Sequence, residues 1–141
     1  MHKVTLQYLH LRPESSLPDI SGFSPFRSVV VIQESISAEW QSKVSAWLVQ
    51  SGCLYMMAWG KECSSWDDAV DIANLEEFNF EEIPEEKFVM TTWHENETLK
   101  EAFWFAKNSA LHPAVELRNT LILDISAVSR EESFLAEYNY A

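Results

Sequence analysis

Four short runs, FRSVVVIQ (26–33), CLYMMAW (53–59), KFVMTTW (87–93) and NTLILDI (119–125), are apolar on both alternating sets of positions. A strand with one wet face alternates apolar and polar residues. A strand that is apolar on both faces needs cover on both, which is the condition of a parallel strand inside an α/β sheet. The stretches between these runs have helical period instead. Ser37 can cap a helix in which Trp40, Val44, Trp47 and Leu48 share one face, and Gly52 stands where a left-handed C′ residue ends it. A second helix is expected over about residues 65–78, and an acidic connector around Pro84 follows it. A third, over residues 97–111, places Leu99, Ala102, Phe103, Ala106 and Ala110 on one side and stops at His112–Pro113. SREE (129–132) has the form of a capping box and predicts a last helix carrying Phe134, Leu135 and Tyr138.

Strand and helix therefore alternate four times. This predicts a single-domain three-layer α/β/α sandwich with a mainly parallel four-stranded sheet. VTLQYLHL (4–11) nearly alternates and reads as an additional N-terminal edge strand or a strand-like arm. Residues 12–25 hold Pro13, Pro18, Gly22 and Pro25 among serines and read as an irregular connection. Residues 1–25 are thus an arm on one domain spanning 1–141, a length usual for a single domain. Counting from the Phe26 run, the expected strand order is 2-1-3-4.

Composition narrows the function classes. No apolar run approaches the ~18 residues of a membrane-spanning helix, and the N-terminus lacks the apolar core of a signal peptide, so a cytoplasmic protein is expected. Cys53 and Cys63 make neither a disulfide framework nor a zinc pattern. With only three glycines, neither the dinucleotide fingerprint nor the phosphate-cradling loop can be written, and no cofactor is expected. Net charge is −12, and from Lys61 to Glu101 thirteen acids stand against three lysines. Such a surface disfavours nucleic acid and anionic membranes, whose binding relies on cationic groups. A basic protein partner suits it, and self-association is left open.

In sheets of this kind ligands bind beyond the carboxyl ends of the strands. That rule selects Gln33, Glu34 and Ser35, then Gly60 to Asp67, then Thr92 to Glu95, and Asp124. Within WGKECSSWDD (59–68) the local expectation is a turn at Gly60 followed by a capping box, with Ser64 or Ser65 paired to Asp67 or Asp68. A sharper reading makes Cys63 a nucleophile at a helix N-terminus, with His94 as base and Asp67 or Glu95 orienting it. A metal group of His94, Glu95, Glu97 and Asp124 lacks the register of a helical ligand pair, so no metal is expected. Trp59, Trp66 and Trp93 lie near one rim and form either an aromatic pocket or core closure.

The remaining candidate is NLEEFNFEEIPEE (74–86), in which Glu76, Glu77, Glu81, Glu82, Glu85 and Glu86 interleave with Leu75, Phe78, Phe80 and Ile83. Acids around apolar anchors suit docking to a basic protein, charge accelerating encounter and the anchors holding the complex. The leading expectation is therefore a non-enzymatic interaction module, an inhibitor or regulator of a basic partner. The alternative is a small cysteine-dependent hydrolase or transferase built on Cys63 and His94.

Overall fold

The computed structural model describes residues 4–141, so the first three residues of the expected arm lie outside the description. The strands are β1 (Thr5–Leu11), β2 (Phe26–Ile32), β3 (Cys53–Gly60), β4 (Met90–Trp93) and β5 (Asn119–Ile125). The helices are α1 (Ala38–Ser51), α2 (Cys63–Glu77), α3 (Leu99–Asn108) and α4 (Glu131–Asn139). All four strand pairings are parallel, in the order β1-β5-β2-β3-β4. The register sets Leu9 beside Leu123, Val30 between Leu123 and Ala58, and Ala58 beside Trp93. Among the described residues, no helix is long and apolar enough to cross a membrane.

The α/β class and the parallel sheet match the sequence pattern, with the N-terminal segment a full fifth strand. The expected strand order is corrected. β5 inserts between β1 and β2, and β4 is displaced to the far edge. Burial explains the exchange. β5 is buried from Thr120 to Ile125 and can be central, whereas Met90 to Trp93 are nowhere fully buried and fit an edge.

The order also decides which face each connection covers. From β2 to β4 the chain advances in one direction, and the return from β4 to β5 runs backwards across the sheet. Right-handed crossovers then place the outward connections on one face and the return on the other. Accordingly Trp40, Val44 and Leu48 of α1 and Trp66 and Val70 of α2 form one core, with Leu17, Ile20 and Phe23 packed against it. Phe103 and Ala106 of α3 and Phe134 and Tyr138 of α4 form the opposite core.

The sequence offers Ser37 for α1 and Asn96 or Thr98 for α3, and these two helix starts follow it while the other two do not. Ser37 Oγ accepts from the Trp40 amide, and Gly52 adopts φ 101° at the C-cap of α1. Thr98 and Glu101 form a complete capping box on α3. By contrast, α2 starts at Cys63, with Glu62 in a left-handed conformation before it, and Ser65 Oγ donates to the Glu62 carbonyl. The expected capping box at Ser64 or Ser65 is therefore absent. α4 starts at Glu131 without a side-chain cap, and Ser129 Oγ donates to the Tyr8 hydroxyl instead. α3 ends at Asn108, so His112 lies beyond the helix. Its Nδ1 accepts from the Ala114 and Val115 amides, and its Nε2 meets the Phe88 carbonyl.

Candidate functional site

The acidic segment leaves the C-terminus of α2 and returns to the base of β4. The amides of Phe78, Asn79 and Phe80 bond back to the carbonyls of Leu75 and Glu76. Asn79 and Phe80 are both left-handed, at φ 55° and 61°. A helix end of this kind calls for one left-handed residue, and asparagine accepts that conformation readily. A second at phenylalanine does not follow from helix termination. All six glutamates are exposed, and Phe80 is 66% exposed among them.

Beside this segment lies a cleft of about 410 Å³ lined by Asp71, Asn74, Leu75, Ile83, Phe88 and Thr91. Asn74 binds the chain entering β4 from the side. Its Oδ1 accepts from the Val89 amide at 2.9 Å, and its Nδ2 donates to the Lys87 carbonyl at 3.2 Å. Thr91 donates its hydroxyl to Asp71 Oδ1 at 2.9 Å. Burial raises the Asp71 carboxyl above its ordinary range, the Thr91 bond works the other way, and Asp67 and Asp68 add to the rise.

The carboxyl-end rim holds the second candidate. Cys63 is the first residue of α2 and is buried. Burial pushes its thiol up, the Glu95 carboxylate adds to that, and the backbone of His94, Gly60 and Cys63 itself pulls the other way. Thiols are activated by cationic, partly open surroundings, so this setting favours the neutral thiol. His94 is buried with both ring nitrogens engaged, Nε2 with Thr92 Oγ1 at 3.0 Å and Nδ1 with Glu97 Oε2 at 3.1 Å. Its ring meets Phe105 edge-on. Asp67 is half-buried on α2, one turn beyond Cys63. The rim thus brings Cys63 against the His94 backbone, while Thr92 and Glu97 take the imidazole. A hollow of about 640 Å³ opens nearby between Glu34, Ser37, Gln41, Lys61, Ser65 and Glu95.

Other expected groupings separate. His94 and Glu97 meet, but Asp124 lies on β5, with β2 and β3 between it and β4. Trp66 is buried in the core under α1 and α2, and Trp59 packs toward the opposite core with its Nε1 donating to the Glu97 carbonyl. Trp93 is half exposed at the end of β4.

Asp124 belongs to a network the sequence showed only in part. It is fully buried and accepts from the Tyr8 hydroxyl and from Gln33 Nε2, the latter at 2.9 Å. The same Tyr8 oxygen accepts from the Arg130 amide at 2.9 Å, at the start of α4. Burial and the Asp124 bond raise the Tyr8 phenol above its ordinary range. Gln33 and Asp124 were legible as rim residues. Tyr8 was not, because the pairing of β1 with β5 brings it there.

Comparison with known families places the chain. A domain family described as a domain of unknown function, DUF7684, matches residues 6–141. The chain belongs to that family. The DUF7684 match runs from the second residue of β1 through the end of α4, so the family unit includes every strand and helix described here. No curated protein and no solved structure matches the chain.

Proposed function

We propose that this domain is an interaction module that binds a basic protein through the acidic segment of residues 74–86, as an inhibitor or regulator of that partner. One observation carries the reading: Phe80 is held at φ 61° and remains 66% exposed amid six exposed glutamates. A left-handed backbone costs a residue with a Cβ about 1–2 kcal/mol, and a ring left mostly exposed recovers little of it by burial. A partner that covers Phe80 would recover it. Surrounding the ring with glutamates gives the arrangement of a binding hot spot, an aromatic anchor inside a charged rim.

The test is affinity capture at low and high salt, followed by kinetics on the captured protein. Changing Glu81, Glu82, Glu85 and Glu86 to Gln should slow association and flatten its salt dependence, because rim charges act mainly on encounter. Phe80→Ala should instead speed dissociation. The reading falls if the quadruple variant binds with unchanged rate and salt slope.

A further inference from the structure

β4 is a terminal strand of the sheet, and its free side faces the cleft beside the acidic segment. The direction of its peptide groups can be read from one bond. The His94 amide donates to the Ala58 carbonyl of β3 at 2.9 Å. Peptide groups alternate in direction along a strand, so Met90 and Thr92 also face β3, while Val89, Thr91 and Trp93 face outward. At the base of this edge the Asn74 side chain accepts from the Val89 amide and donates to the Lys87 carbonyl. It thereby makes the two bonds that a neighbouring strand would make. The covering stops there, and the amides and carbonyls of Thr91 and Trp93 continue the edge beyond it.

Open edges are templates for strand addition, and proteins usually blunt them with short strands, lysine, proline or a bulge. β4 is short, four residues, but Met90 to Trp93 contain neither lysine nor proline. Instead the edge is flanked by apolar groups, with Leu75 39% and Phe88 43% exposed. It is also flanked by acids, Asp71 in the cleft wall and the glutamates of the adjoining segment.

We infer that β4 receives an extended segment of the basic partner as an additional strand, one that alternates lysine or arginine with apolar side chains. This deepens the proposed function and rests on it. Charge complementarity selects the occupant. The guest's cations would face Asp71 and the glutamates on the α2 side of the sheet, while its apolar side chains extend the opposite face beside Met90. A second copy of this chain is disfavoured as occupant, because joining two β4 edges would bring together two stretches of thirteen acids against three lysines. The Thr91 and Trp93 peptide groups supply the main-chain bonds, and the cleft supplies the side-chain contacts.

The probe is an alternating Lys-Val octapeptide, titrated into the full chain while amide exchange at Thr91 and Trp93 is followed by NMR. An alternating Glu-Val octapeptide and a Lys-Val peptide N-methylated at every second residue serve as comparisons. The Lys-Val peptide should bind, slow exchange at both amides, and outbind both comparison peptides. Thr91→Pro removes one outward donor at an edge position where proline leaves the bonding to β3 intact, and Thr91→Val, which drops the same hydroxyl bond to Asp71 but keeps the amide, is its reference. Against that reference it should weaken the peptide roughly fivefold, the equivalent of one hydrogen bond. If the peptide binds but is indifferent to N-methylation and to Thr91→Pro, and leaves exchange at Thr91 and Trp93 unchanged, the edge inference is overturned while the acidic docking surface stands. If neither unmethylated peptide binds, both readings are overturned. Protection of these amides that grows with protein concentration in the absence of peptide makes a second copy the occupant and overturns the basic-segment assignment.

Discussion

Three side chains do work that their sequence neighbours do not explain. Tyr8 is the clearest, since one hydroxyl donates to buried Asp124 and accepts from the Arg130 amide. Tyr8→Phe keeps the ring and deprives both groups of a partner. Asp124 keeps Gln33 and the Arg130 amide lies exposed, so the loss should be about 1–3 kcal/mol in denaturant unfolding, the scale of a hydrogen bond to a buried carboxyl group. Cys63 illustrates the opposite of activation. Its thiol is raised by burial and by Glu95, so iodoacetamide labelling should show a midpoint above the ~8.5 of a free thiol. A midpoint below that value would restore the nucleophile reading. For Asp71, the folded carboxyl is raised above its unfolded value, so folding favours its protonated form. That contribution is fully present below the unfolded pKa and is lost as pH rises through the folded one. Asp71→Asn keeps an oxygen for the Thr91 hydroxyl and removes the titrating group. It should hold or raise the melting temperature at neutral pH and flatten the weakly acidic part of the stability profile, and a lower neutral-pH melting temperature refutes this account.

At the level of elements, the two helix starts on the face covered by α3 and α4 respond differently to similar substitutions. α3 carries its own stop and start signals, and its capping box is local: Thr98 Oγ1 accepts from the Glu101 amide while the Glu101 carboxylate accepts from the Thr98 amide. Thr98→Ala should therefore cost about 1 kcal/mol. SREE has the same form in sequence, yet Ser129 does not cap α4. Its first turn is tied instead to Tyr8 on β1, the strand that pairs with β5. Ser129→Ala should cost less than about 0.5 kcal/mol, within the range of ordinary surface changes. Chemical denaturation of the two variants side by side checks the contrast, and equal losses would mean that α4 is capped locally after all. The difference shows why α1 and α3 were legible in the sequence while the starts of α2 and α4 were not. A cap made within four residues leaves a pattern, whereas α4 is tied to another strand and α2 starts from a left-handed Glu62 with no side-chain cap, and neither leaves one.

For the molecule as a whole, the uneven charge is what packing leaves uncompensated. The chain carries −12, and Lys61 to Glu101 hold most of it. Like charges at that density repel in the compact state, and added salt screens them as the Debye length falls from ~30 Å at 0.01 M to ~8 Å at 0.15 M. The melting temperature should accordingly rise over that salt range, and the quadruple Gln variant of residues 81, 82, 85 and 86 should melt at least as high as the parent with a shallower rise. A parent melting temperature that is flat or falls with salt would mean that the acids are already compensated within the fold.

The kind of element and the parallel sheet could be read from the chain alone, because periods of about two and 3.6 residues are local consequences of backbone geometry and burial, though β1 as a full strand could not. The acidic segment was equally plain, since charge needs no folding to be counted. Strand order could not be read in the same way. Apolar runs state that a strand is covered, but not by which neighbour, and the exchange of β4 and β5 was decided by which run could be buried most completely. The open edge of β4 follows from that order alone. So does the meeting of Tyr8 with Asp124, residues 116 apart in sequence. Asn74 shows the same limit in one side chain: an asparagine near a helix end looks like a solvated polar residue, and only the packing of α2 beside β4 turns it into a partner for backbone.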